Sequence, residues 1–206
     1  MNKINYFTKE ISYIKDATKR KDLRILINLL PEYFFEIPAS STGKYHPNFT
    51  KGEGGLVRHT KVAVKIAHEL LNNNTVGWKF PDSDKDLIIM ALILHDGLKC
   101  GLEHSKYTKF DHPLLVSHYI MENKDKVSMP IEDLRKMCSL IESHMGEWNY
   151  DSYAKKEVLP KPKTAEQRFV HMCDYLASRK FIDVEFNGIE LKDWILFLKW
   201  IFVVYY

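Results

Sequence analysis

Hydrophobic residues recur along most of the chain with the spacing of amphipathic helices. In residues 57–71 the apolar positions form two neighbouring rows with a four-residue repeat, Val62, Ile66 and Leu70 beside Ala63, Ala67 and Leu71. Two such rows make one apolar face of a helix. Similar patterns predict a helix or a helix pair over residues 8–30, and further helices that open near Pro113, Pro130 and Thr164. Proline favours the first helical position, and Thr164 with Gln167 matches a capping box.

The longest apolar run, residues 87–94, leads directly into His95 and Asp96. The run alone fits a buried strand or a buried helix segment. Three residues favour a helix: Ser83 as the N-cap, Asp86 three residues later as in a capping box, and Gly97 just past the end. A carboxylate buried at the end of such a helix needs a cation or several hydrogen-bond donors. The alternative is a His-Asp pair that faces water.

Composition indicates an ordinary globular protein. The chain has 206 residues, of which 45% are hydrophobic and 28% charged, with a net charge of +3. This length predicts one domain, and the charge is too small to indicate nucleic acid or membrane binding by itself. Three widely spaced cysteines argue against a disulfide scaffold or a thiolate zinc site. Neither a signal-peptide core nor an apolar run of membrane-spanning length occurs, so we expect a cytoplasmic protein.

Two other segments leave alternatives open. Residues 36–55 are rich in glycine and proline and contain His46. This loop could reach over a pocket, but a plain surface loop is the preferred interpretation. Residues 194–206 are almost wholly apolar or aromatic. We expect this tail to dock on the core, and a homodimer contact is the second interpretation.

Six side chains that could bind a metal occur at core-facing positions near helix ends: His59, His95, Asp96, His112, His144 and Asp174. A single histidine on an apolar face is more often a core residue than a ligand. Asp174, however, follows Val170 by four residues on an apolar stripe, where a carboxylate needs a partner such as a metal or an arginine. Five separate helix ends with such residues predict that they converge.

The order His…His-Asp…His…His…Asp resembles the HD superfamily of metal-dependent phosphohydrolases. Three segments carry the resemblance: residues 54–60 (Gly-Gly-Leu-Val-Arg-His-Thr), 94–99 (Leu-His-Asp-Gly-Leu-Lys) and 171–177 (His-Met-Cys-Asp-Tyr-Leu-Ala). The resemblance implies an all-α helical bundle. We expect one HD-like domain over residues 1–206, with its signature in about 45–180, an N-terminal helical segment in 1–44 and an appendage in 181–206 packed on it.

The resemblance also implies roles for the candidate residues. His59, His95, Asp96 and Asp174 would hold a first divalent ion, and His112 and His144 would complete a second site that Asp96 bridges. Lys99 occupies the place of the family's lysine, where it would neutralise charge on phosphate oxygens; Asp96 and Lys99 are thus the predicted catalytic residues. Imidazoles and carboxylates without thiolates suit Mn, Fe, Co, Ni or Zn, and Mg is also allowed.

The predicted function is hydrolysis of a phosphoester in a nucleotide or nucleic acid by a water molecule that the metal activates. His112 and His144 favour a phosphodiester. Two alternatives are a one-metal nucleotidase that acts on monoesters and a non-catalytic sensor that binds a nucleotide. Trp148, Tyr150 and Tyr153 follow His144 and could stack on a base, while Trp148 could equally pack beneath the site.

Overall fold

The computed structural model describes residues 2–40, 43 and 46–192. Seven α-helices form the framework of this part: α1 Thr8–Ser12, α2 Ala17–Leu29, α3 Gly55–Asn72, α4 Asp82–Leu94, α5 His112–Glu122, α6 Ile131–Glu142 and α7 Ala165–Ala177. Short 3-10 turns lie at Lys3–Phe7, Glu32–Phe35, Asn48–Thr50, Gly77–Lys79 and Lys124–Lys126. The prediction of an all-α fold is confirmed, and residues 8–30 form a helix pair.

Two antiparallel hairpins interrupt the helical pattern, and the sequence did not predict either. Strands β1 (Tyr150–Asp151) and β2 (Lys156–Glu157) form the first, with Tyr150 opposite Glu157. Strands β3 (Phe186–Asn187) and β4 (Glu190–Leu191) form the second. Each strand has two residues, too few for the alternation of apolar and polar residues that marks a strand to be recognised.

Helix α4 lies at the centre of the described fold. Every residue from Asp86 to Leu94 is buried, which confirms a fully buried helix. It packs against α2, α3, α6 and α7, while α5 packs against α6 and α3 against α7. A helix that is apolar on all sides needs neighbours on all sides, so α4 positions its C-terminal His95 and Asp96 in the interior.

The predicted capping of α4 is wrong in two respects. The helix begins at Asp82 after Pro81, so Ser83 is already inside it. The Asp86 carboxylate instead accepts hydrogen bonds from the backbone N–H groups of Lys15 and Asp16, at 2.8 and 2.9 Å. Asp86 therefore ties the turn between α1 and α2 to the central helix, a long-range role that its local spacing does not reveal.

Gly97 also has a different role from the predicted C-cap. Its φ is not positive, whereas a left-handed glycine ends many helices. A Cβ at this position would lie 2.6 Å from Cδ2 of Leu30. Gly97 thus makes room for the end of α2 to pack against the turn that follows α4.

The other helices form largely as predicted. Helix α3 buries Val62, Ala63, Ala67 and Leu71 from its two apolar rows. Helix α7 has both hydrogen bonds of the capping box between Thr164 and Gln167. His112 is the first residue of α5 and Pro113 the second, as the proline predicts.

The second hairpin packs on the loop that precedes α3. The rings of Phe49 and Phe186 lie 5.6 Å apart, and the buried Lys61 of α3 binds Glu190 at 2.9 Å. Apolar residues of 181–192 pack against the core: Ile182, Val184, Phe186, Ile189 and Leu191. The predictions about the tail, residues 194–206, fall outside the described residues, and the division into domains stays a prediction. No helix in the described part is long and apolar enough to cross a membrane.

The contact of Asp86 with α2 gives a test of the fold. Asp86→Ala would leave two backbone N–H groups without their acceptor, so we expect a loss of roughly 2–3 kcal/mol in the free energy of unfolding, measured with urea. Asp86→Asn keeps one acceptor oxygen and should lose less. Asp82→Ala, which removes an exposed ion pair to Lys15, is the control. It should leave the urea concentration at the midpoint of unfolding unchanged. Equal effects of Asp82→Ala and Asp86→Ala would contradict this role.

Candidate metal centre

The structure brings all six predicted ligand residues together. The first group joins α3, the end of α4 and α7. His59 Nε2 lies 2.8 Å from Asp174 Oδ1, and His95 Nε2 lies 3.4 Å from the same oxygen. One potential ligand atom from each of His59, His95 and Asp174 falls within 4.8 Å of the others. These three side chains could hold one metal ion.

Asp96 connects this group to the other two histidines. Its Oδ2 lies 3.4 Å from His95 Nε2. Its Oδ1 lies 2.9 Å from His112 Nε2 and 3.9 Å from His144 Nε2. His95, Asp96 and His144 form a second set of potential ligands within 4.8 Å. One carboxylate therefore faces histidines on two sides, which is the arrangement that a bridging ligand needs.

Backbone carbonyls orient three of these imidazoles. In each case Nδ1 lies 2.7–2.8 Å from the carbonyl oxygen three residues earlier: His95 from Leu92, His112 from Lys109 and His144 from Ile141. Because a carbonyl only accepts, each Nδ1 carries a hydrogen, and in the neutral imidazole each Nε2 therefore carries a lone pair. All three lone pairs are thereby available to the centre. Such second contacts commonly fix the orientation of metal-binding histidines.

The potential ligand atoms of the centre fit a bound cation. His112 Nε2 and Asp96 Oδ1 are both acceptors, yet they lie 2.9 Å apart in the interior. The Nε2 atoms of His95 and His112 are buried and have no hydrogen-bond partner among the described residues. Acceptors that face each other at this distance repel unless a proton or a metal ion lies between them. The residues present therefore fit a metal-binding role.

Both carboxylates of the centre are held in the charged form. Burial by itself would raise the pKa of Asp96, but Lys99 and His95 outweigh it and hold that pKa well below its usual range. Burial would likewise raise the pKa of Asp174, but its hydrogen bond with His59 and the nearby imidazole of His95 hold that pKa well below its usual range. Two ionised carboxylates in the interior attract a positive charge.

The surroundings shift the pKa values of His95 and His144 in opposite directions. Burial would lower the pKa of His95, but the charges of Asp96 and Asp174 prevail and raise it to about 10. Burial, reinforced by the charge on His95, lowers the pKa of His144 to about 3. His144 is therefore a neutral imidazole near pH 7, the form that binds metals. His95 lies where the carboxylates attract a cation most strongly, whether a proton or a metal ion.

Lys99 points into the centre. Its Nζ lies 2.5 Å from Asp96 Oδ2. It also lines an open cavity of about 280 Å³ that contains the exposed side of the ligands. An ammonium group at this edge could contact a phosphate oxygen while its charge supports the ionised form of Asp96.

Trp148 lies on the wall of the same cavity and is 44% exposed. Its ring stacks on Tyr175, with centroids 5.7 Å apart and planes 13° from parallel. The Arg179 guanidinium covers Tyr175 at 4.3 Å from the centroid. Trp148 thus borders the cavity rather than packing beneath it, and the exposed part of its side chain is open to a ligand.

The model of the HD domain family matches residues 56–179. This chain belongs to the HD-domain family. The match covers more than half of the sequence, and it includes all six candidate ligand residues. The HD domain defines a superfamily of metal-dependent phosphohydrolases, which bind divalent metals. No curated protein and no solved structure matches the chain.

His46 lies outside the matched HD segment and is nevertheless part of the cavity wall. Its ring approaches His59 with centroids 6.0 Å apart. Its Nδ1 is buried without a hydrogen-bond partner in the described part of the chain. Burial, with the charges of His59 and Lys99, lowers the pKa of His46 to about 4. The preference for a plain surface loop at His46 was therefore wrong.

The path of this loop explains the error. Arg58 donates hydrogen bonds to the carbonyl oxygens of Phe49 and Lys51. A Cβ at Gly55 would lie 2.0 Å from the carbonyl oxygen of Thr50, so the glycine permits the loop to pass directly over the start of α3. The only sequence signal was a histidine in a glycine-rich segment just before His59.

His171 is a supporting residue that the sequence did not single out. Its Nδ1–H donates to the carbonyl oxygen of His144 at 2.7 Å. Gly146, with a φ of 64°, lies directly against its ring, and a Cβ there would come 2.2 Å from Cε1 of His171. The turn that carries His144 is thus fixed to α7, three residues before Asp174.

This contact predicts the effect of Gly146→Ala in the HD domain. The methyl group would clash with His171 and displace the His144 turn, so we expect a destabilisation about 1–3 kcal/mol larger than for a simple left-handed glycine, together with weaker metal retention on dialysis. Gly52→Ala is the matched control, because Gly52 has a φ of 68° and nothing within 4 Å of the added Cβ. Gly52→Ala should lose about 1 kcal/mol in the free energy of unfolding. Equal losses in the two variants would contradict the role of His171.

Proposed function

We propose that this HD-domain protein hydrolyses a phosphodiester of a nucleotide or nucleic acid, using two divalent ions. His59, His95, Asp96 and Asp174 would hold the first ion. His112 and His144 would hold the second, with Asp96 as the shared ligand. The observation that carries the proposal is the position of Asp96, whose two oxygens face different histidines. A centre for one ion would not need imidazoles on both sides of this carboxylate.

The ligand chemistry restricts the ions. Imidazole and carboxylate ligands suit Mn, Fe, Co, Ni or Zn, with Mg also allowed. All three cysteines are buried outside the centre. Burial, with the charge of Asp174, raises the pKa of the neighbouring Cys173, so this thiol stays protonated and is a poor ligand.

Divalent ions bound at this centre would supply an activated water and compensate charge on a phosphoryl group. The chain's own residues provide the rest. Carbonyl contacts hold the imidazole lone pairs toward the centre, which avoids reorganisation when the substrate binds. Lys99 and Arg179 both line the cavity, and each carries a positive charge. These two cations would bind non-bridging phosphate oxygens and orient the phosphoester.

Metal content gives the first test. Elemental mass spectrometry, on protein purified without chelator or nickel affinity resin, should find two ions per chain in the wild type and one in His144→Ala. His118→Ala is the control, because His118 is exposed on the same helix as His112, and it should retain two ions. One ion in both the wild type and His144→Ala would contradict the second site and support a one-metal nucleotidase. No ion after reconstitution would contradict the catalytic proposal and support a non-catalytic nucleotide sensor.

Substrate preference is tested with a pair that shares one leaving group. We expect a higher kcat/KM for bis(4-nitrophenyl) phosphate than for 4-nitrophenyl phosphate, because two ions on either side of Asp96 favour a diester. Asp96→Ala should reduce turnover roughly a thousandfold or more, while circular dichroism shows a folded chain. Monoester preference would contradict the diester assignment. Full activity of Asp96→Ala would contradict the whole site.

A further inference from the structure

A second cavity, of about 490 Å³, adjoins the one that contains the ligands. Thr108, His112 and Met145 line both cavities. The shared wall includes His112, whose Nε2 faces Asp96. A molecule bound at the metal centre can therefore extend into the second cavity without leaving the protein surface.

The hairpin β1–β2 forms part of the wall of this second cavity. Tyr150 and Tyr153 line the cavity and are 54% and 96% exposed. Lys109 lines the same cavity. Tyrosine rings that are open to solvent stack on unpaired bases, and a lysine nearby attracts the phosphates between them. We call this set of three residues, Lys109, Tyr150 and Tyr153, the hairpin subsite.

The hairpin is held firmly enough to act as a binding surface. The buried Asn149 accepts hydrogen bonds through its carbonyl oxygen from the N–H groups of Val158 and Leu159. Asp151 Oδ1 accepts from the N–H groups of Tyr153 and Ala154, at 2.8 and 3.1 Å. Asp151, the carboxylate among the described residues that line this cavity, is thus engaged in the turn, which lessens its repulsion of a phosphate.

The first cavity has a similar surface. There Trp148 stacks on Tyr175, and Arg179 covers Tyr175. Flat side chains accompanied by a cation therefore line both of the adjoining cavities. This distribution fits a phosphate flanked by two nucleosides better than a mononucleotide, which would occupy one cavity only.

We infer that the hairpin subsite binds the nucleotide next to the scissile phosphate, and that the substrate is a single-stranded oligonucleotide. The inference rests on the proposed phosphodiesterase function and names its substrate class. A single strand is required because bases paired in a duplex do not present free faces to side chains. A nucleotide monoester leaves the hairpin subsite without a ligand.

The test compares a long and a short substrate. Tyr153→Ala, alone and with Tyr150→Ala, should lower kcat/KM for a single-stranded oligonucleotide by about tenfold or more. The same variants should change kcat/KM for bis(4-nitrophenyl) phosphate far less, because this compound lacks the neighbouring sugar and phosphate that would place a base on the hairpin. Trp78→Ala, which removes another exposed aromatic residue that lines neither cavity, should change neither value of kcat/KM. Duplex of the same sequence should be a poorer substrate than the single strand.

Several results would overturn the inference: equal losses on both substrates, no loss on the oligonucleotide, or cleavage of duplex as fast as single strand. Fluorescence anisotropy with a labelled oligonucleotide, in the presence of chelator, measures binding independently of catalysis. Weaker binding by Tyr153→Ala should persist there. If the wild type cleaves neither substrate while this binding difference remains, the proposed catalysis fails and the subsite stands. If cleavage occurs without the binding difference, the subsite fails alone.

Discussion

The burial of one carboxylate constrains the rest of this structure. Asp96 is 2% exposed at the end of a helix that is apolar on every side. A charge in such a place is costly unless several compensating groups surround it. His95 and Lys99 supply two of them from the same segment as Asp96, and His112 and His144 supply the others from two further segments. The packing of α3, α6 and α7 against α4, and of α5 against α6, is therefore also the assembly of the centre.

Local geometry at the helix ends prepares this assembly. His95, His112 and His144 each lie three residues after the carbonyl oxygen that orients their ring. Such contacts form as soon as the helix end forms, so the direction of each lone pair depends little on distant residues. Tertiary packing then needs only to bring the helix ends to the same place. This division explains why a centre with many ligands is compatible with a small helical protein.

Other features depend on contacts between segments that are far apart in the chain. Asp86 has the spacing of a capping residue, yet it binds the backbone of Lys15 and Asp16. Gly97 has the position of a helix-ending glycine, yet it serves to admit Leu30. In both cases the spacing in the sequence predicted a plausible capping role, but the contacts in the folded chain give the residue a different role. Short-range patterns cannot distinguish the two because the deciding partner lies elsewhere in the sequence.

The sequence by itself determined the helical fold, the buried central helix and the six residues that converge. The helices follow from the periodicity of the apolar residues, and the site follows from carboxylates at positions where burial of a charge is costly. His46, His171 and the adjoining hairpin cavity were decided only by the tertiary structure. His46 reaches the centre through a glycine-rich loop that has no periodic signal. His171 acts through Gly146, a contact of two residues without a recognisable spacing. A cavity is formed by surfaces from several segments, and only the folded chain brings those surfaces together.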